Sequence, residues 1–130
     1  MAVQAQYASQ VFNGQTLLSL ANPNRDGTGS IAGIFTGPYL NGCRVDSLSI
    51  TAIGTTTAGM IRLYSYFVIG GTYRLLLEIP VQAITPSATV PAWNVTLRNL
   101  NWNFEFQVLL AASTEKAESF HVVTTASGAY

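Results

Sequence analysis

Charge is what this sequence has least of. Only 9% of its 130 residues are Asp, Glu, Lys or Arg, against roughly 25% in an ordinary soluble domain. Hydrophobic residues stay at 48%, so Thr, Ser, Asn, Gln, Ala and Gly fill the gap. The net charge is zero. A neutral, weakly charged surface has little repulsion to hold copies apart and tolerates close association. The same scarcity excludes a nucleic-acid partner: five arginines and one lysine are spread along the chain, with no cluster to neutralise a phosphate track.

Cysteine is nearly absent too. Cys43 is alone, which excludes an internal disulfide framework and a thiolate metal site. The apolar stretches all run under ten residues, where a membrane-spanning helix needs about 20, so no membrane association is expected. The opening "MAVQAQYASQ" has neither a basic nor an apolar signal region, and no signal peptide is expected. Helical spacing is missing as well: no window keeps apolar residues at i, i+3, i+4 and i+7 over three turns.

What is present is β pattern. Short β-branched and aromatic runs alternate with Gly, Pro, Asn and Thr clusters every eight to twelve residues or so. About eight strands are expected: "QTLLSLA" (15–21), "IAGIFTG" (31–37), "CRVDSLSITAI" (43–53), "MIRLYSYFV" (60–68), "TYRLLLEIPV" (72–81), "WNVTLRNL" (93–100), "NFEFQVLLAA" (103–112) and "SFHVVTT" (119–125). Leu48, Ile50 and Ala52 alternate with Ser47, Ser49 and Thr51, one wall in a core and one in water. Gly70-Gly71 marks a tight hairpin. On it, Ile61, Leu63 and Phe67 face inward with Tyr73, Leu75, Leu77 and Ile79, while Arg62, Tyr64, Tyr66 and Arg74 face outward. "QAITPSATVPA" (82–92) reads as an extended crossing between sheets. The expectation is an all-β, antiparallel, jelly-roll-like β-sandwich over residues 15–130, preceded by an extended N-terminal arm over 1–14.

Chemistry-bearing residues are few. Glu115, Lys116, Glu118 and the one histidine, His121, crowd into "STEKAESFH". They fall between two well-phased strands, where a hairpin tip needs polar residues. "NRDGTG" places oxygens at Asn24, Asp26 and Thr28, but it has one carboxylate and no closing glutamate, so it reads as a turn rather than a calcium loop. "NVT" (94–96) matches a glycosylation acceptor and is discounted for want of an export signal. With one His and two Asp, no nucleophile–base–orienter set can be assembled. Glu78 and Glu105 read as outward strand positions rather than a glycosidase pair. No enzyme activity, metal or cofactor is expected. The surface of most interest is Arg62, Tyr64, Tyr66 and Arg74, with Trp102 able to join it. Three readings stay open for it: a protein interface, a plain exposed sheet face, or a groove for sugars or bases.

Two stretches, "GTTTAGMIRLYSYFVIGGTYRLLLEIPVQAITPSATVPAW" (54–93) and "LLAASTEKAESFHVVTTASGAY" (109–130), resemble a group of small structural-block proteins of tailed bacteriophages. The likeness lies in "TTAGMIRL", a hairpin, "LLxEIPV" and "TPSATVPA", and spans about the last 60% of the chain. The hairpin "FVIGGTY" departs from the Asp-Gly seen in relatives, and "TTASGAY" departs from their glycine-glycine-acid tail. The resemblance implies a virion component made in the host cytoplasm. Its expected role is a capsid decoration or cement protein on the head, bound to the major capsid protein or other virion proteins and assembled as a homo-oligomer, by preference a trimer. The arm would reach a neighbouring subunit through Gln4, Gln6, Tyr7 and Phe12. A tail, neck or fibre component and a carbohydrate-binding module for host attachment are the alternatives.

Overall fold

The computed structural model describes residues 10–11, 14–35, 42–105 and 107–129. Among these there is no helix, and the alternating runs form ten strands. They are β1 (Gln10–Val11), β2 (Gln15–Leu18), β3 (Ala32–Gly33), β4 (Cys43–Ala52), β5 (Gly59–Phe67), β6 (Thr72–Val81), β7 (Asn94–Leu97), β8 (Trp102–Phe104), β9 (Val108–Thr114) and β10 (Phe120–Ala129). One sheet runs β1-β10-β4-β7, with β2 beside β1 along β10 and β8 beside β7 along β4; the other runs β3-β9-β5-β6.

All strand pairings are antiparallel and nested: β1 and β2 with β10, β3 with β9, β4 with β7 and β8, β5 with β6. Successive pairs alternate between the sheets, and the β4–β10 and β5–β9 ladders join them. This is a jelly-roll β-sandwich of eight rows, two of them each broken into two short strands. The first pair is β1 and β2, and β1 lies within the segment expected to be an arm. Gly14 repairs the row beyond it, exchanging hydrogen bonds with the buried Thr124. At the second break, Asn99 and Asn101 sit at φ 57° and 52°, a left-handed conformation that asparagine tolerates better than most residues.

Both inner faces fill one core. Leu48 and Ile50 of β4, Phe120 and Val122 of β10, Ile61 and Leu63 of β5, and Leu110 of β9 are buried in it. Trp93 meets Phe120 edge-on at 5.8 Å, and Phe35 meets Phe104 in the same way. Such pairs add about 1 kcal/mol to the burial of their rings.

Three expectations need correction. The strand expected over 103–112 is two strands in different sheets: the chain leaves one sheet after Phe104, turns through Gln107 at φ 67°, and enters the other at Val108. Phe106, expected in the core, lies outside the described residues. Second, "STEKAE" is not a hairpin tip, because β9 and β10 belong to different sheets; the segment is a crossover. Third, β6 carries a bulge. Leu63 pairs with Leu77 but Tyr64 pairs with Leu75, leaving Leu76 as the extra residue. A one-residue slip moves every later side chain to the other face. Tyr73 and Leu75 therefore share the outer face with Tyr64 and Tyr66, while Arg74 falls on the side of Ser65.

Candidate assembly surface

Three elements meet on the outer face of the β5–β6 sheet. The first is the base of the hairpin, where Arg62 stands opposite Glu78 of β6 and Ser113 of β9. The second is "NPNRDGTGS" (22–30), laid across that face. It is a loop built by its own side chains: Asn22 Nδ2 donates to the carbonyls of Thr28 and Ser30, and Asp26 accepts from the backbone and hydroxyl of Thr28. Those Thr28 bonds, the hydroxyl's first, hold the Asp26 carboxyl below its usual range. Gly27, at φ +87°, passes so close to Tyr73 that any Cβ would sit 2.6 Å from the Tyr73 carbonyl oxygen. The third element is the β9–β10 crossover with Glu115.

Together they bury a charge. Arg62 is 1% exposed. Its Nε donates to Glu78 and its Nη2 to Glu115, both at 3.1 Å, and its Nη1 reaches the Asn22 carbonyl at 3.4 Å. Glu78 also accepts from Arg25 Nε at 2.8 Å. The Arg25 bond first, and the Arg62 bond after it, hold the Glu78 carboxyl below its usual range, and Glu78 in turn raises the Arg25 guanidinium. A desolvated arginine is tolerated only when its donors are occupied in this way, and removing its partners strands the charge. Next to it Tyr64 is fully buried, its hydroxyl donating to the Asn24 carbonyl at 3.1 Å.

The five residues expected to form one exposed face are thus divided. Arg62 and Tyr64 are interior, a correction whose cause is the loop laid over them. Tyr66 stays half-buried and stacks on Tyr73 at 4.3 Å. Arg74 is exposed and lies on the opposite face from the tyrosines. Trp102, on β8, lines a depression of about 420 Å³ with Ser65, Leu76 and Val108. The arm residues Gln4, Gln6, Tyr7 and Phe12 lie outside the described residues. The crossover charges are also tied down: Glu115 holds Arg62, and Glu118 accepts from the backbone and hydroxyl of Thr57.

Beyond the clamp the hairpin changes character. Residues 63–73 carry no charge, and at their turn Phe67, Val68 and Ile69 stand in solvent, Ile69 at 74% exposure. Leu75 and Leu76 add exposed apolar surface just below them. Five of the nine exposed large hydrophobic residues among the described ones fall in this half-hairpin, a concentration rather than the single scattered exposures usual on a surface. One signal in the sequence could have found it: "FVI" sits directly before the turn glycines, where a solvent-facing hairpin would carry polar residues.

Chemistry elsewhere is sparse. Among the described residues no three of His, Cys, Asp and Glu are grouped to hold a metal ion. The Cys43 thiol is buried, which pushes it up to about 11 and leaves it protonated and unreactive at neutral pH. No protein-family model matches the chain, and no curated protein matches it.

Proposed function

We propose that this is a structural protein of a tailed-phage virion, acting without a catalytic step as a decoration or cement protein that binds the outside of the head. The observation that carries the reading is the exposed apolar turn of the hairpin, Phe67, Val68 and Ile69 with Leu75 and Leu76 beside it, standing on a stiff charge-poor sandwich. Apolar surface of this kind is costly to leave in water and pays only when a partner covers it. Jelly rolls recur in viral capsid domains and in lectins. That is an analogy of fold and gives no function alone. The resemblance of residues 54–93 and 109–130 to phage structural-block proteins favours the viral reading over the lectin one.

Immunogold electron microscopy of intact particles, with antibody raised against this chain, tests it. Gold over the head is the expected result. Gold confined to the neck or tail moves the protein to a tail, neck or fibre role. Unlabelled particles, together with a tryptophan fluorescence change on adding glycans, would replace the virion role with sugar binding.

A further inference from the structure

A second apolar feature lies at the other end of the same sheet. Between the exit of β2 and the entry to β3 is a cleft of about 240 Å³, lined by Leu17, Leu20, Ile31, Ala32, Ser113 and Thr114 among others. Leu20 is 67% exposed and Leu17 50% exposed at its rim. Among the described residues no charged one lines it. Its volume equals roughly eight waters at ~30 Å³ each, room enough for an isoleucine side chain.

The knob and the cleft cannot meet within one molecule. Thr114, at the cleft, pairs with Ile61 at one end of β5, whereas Val108 pairs with Phe67 at the other. Six residues of extended chain separate them, on the order of 20 Å. We infer that the hairpin knob of one copy (Phe67, Val68, Ile69) docks in the leucine-rimmed cleft of a second copy, a head-to-tail contact between identical chains.

Three observations favour a second copy over a different protein. Knob and cleft are both uncharged, the cleft setting Leu17, Leu20, Ile31 and Ala32 among the hydroxyls of Ser19, Ser30, Ser113 and Thr114, so neither selects a charged partner, and a molecule of zero net charge offers no repulsion to its own kind. One feature is convex and the other concave, whereas two knobs meeting about a two-fold axis would each need a matching hollow at the tip. Area supplies the third. Phe67, Val68 and Ile69 leave on the order of 250 Å² open, taking about 150–250 Å² for a large side chain. That is about a third of the ~800 Å² one partner gives to a stable pair. A chain that uses its knob and its cleft at once doubles its share, so the head-to-tail contact is stable when it closes into a ring.

This inference goes beyond the virion role and stands or falls separately from it, since the test uses purified protein alone. Analytical ultracentrifugation would compare the wild type with I69D, L20D and their equimolar mixture. Both substitutions fall on exposed side chains, and unchanged thermal unfolding would show that each variant is folded. The wild type is expected as a closed oligomer and each variant as a monomer. The mixture is expected to form no closed oligomer and at most a weak one-to-one pair, because I69D keeps an intact cleft and L20D an intact knob but only one contact is available between them. A monomeric wild type at high concentration would overturn the proposal, and so would either variant associating as the wild type does.

Discussion

The β5–β6 hairpin buries an arginine near its base and exposes an isoleucine at its turn. Along one hairpin, hydropathy and burial run in opposite directions. The base is covered because residues 22–30 and the β9–β10 crossover converge on it, and the Asn22 carbonyl and the Glu115 carboxylate join Glu78 of β6 in accepting from all three guanidinium nitrogens of Arg62. The far half meets no such cover among the described residues, and its apolar side chains stay in solvent. Strand alternation says which residues share a face. Whether that face is wet depends on what the rest of the chain lays over it.

Removing the arginine should give the largest effect. R62A would leave Glu78 and Glu115 facing each other without their shared cation and open a cavity under the loop, at a cost of about 3–5 kcal/mol. Urea unfolding at neutral pH reads this as a lower midpoint with an unchanged slope. R62M sharpens the point. It keeps most of the volume, and both glutamates are about one-third exposed and can turn to water, so it should recover much of the loss. If R62A unfolded like the wild type, the base would be no more clamped than the turn.

Next comes the loop itself. Asn22 is 1% exposed, and its amide joins the two arms of the loop through Thr28 and Ser30. N22A would orphan two carbonyls and should cost about 2 kcal/mol. Hydrogen exchange should then rise over 22–30 and at the base of β5, while the 67–72 turn keeps its wild-type rate. Equal increases at both ends would show that the hairpin opens as one unit and that the contrast between its ends is superficial.

Acid should weaken the base alone. Glu78 titrates below its ordinary range in the folded state, chiefly through Arg25 and then Arg62. A carboxyl lowered in this way binds fewer protons folded than unfolded. Its contribution is complete above the ordinary glutamate value of about 4.3 and is lost as pH falls through the lowered value. Urea midpoints taken from pH 7 downward should therefore fall below about pH 4.3, and E78Q should flatten that fall. An identical acid profile in E78Q would remove Glu78 from the account.

How much of this was legible in the sequence follows from the same contrast. Alternation at Leu48, Ile50 and Ala52 carried the β4 face correctly, and turn residues carried most strand ends, because both are local effects. About eight strands were legible for the same reason, but not their order, because other Greek-key sandwiches share the same local pattern. The burial of Arg62 and Tyr64 was not: it depends on a loop some forty residues away, which local pattern does not report. Nor was the bulge at Leu76. "RLLLE" gives three leucines in a row, so either register satisfies the pattern and only packing decides. The crossover at 115–119 looked like a hairpin because polar residues between two strands fit both. Its glutamates face inward toward Arg62 and Thr57 for reasons visible only in three dimensions.

The smallest expected effect tests the other end. Ile69 is 74% exposed at the turn, so in the isolated chain I69D removes almost no buried surface and should change unfolding by less than about 0.5 kcal/mol. Under dilute conditions, where copies stand apart, its urea midpoint should match the wild type. At high protein concentration the two should diverge, because only the wild type gains stability from mass action as its knob is covered. That concentration dependence separates a surface held ready for a partner from one that is merely apolar. A wild-type midpoint that never moved with concentration would mean that copies of this chain do not cover the turn, leaving it for a different protein. A large loss in dilute I69D would instead mean that the turn is packed within the chain, and the two ends of the hairpin would no longer differ in kind.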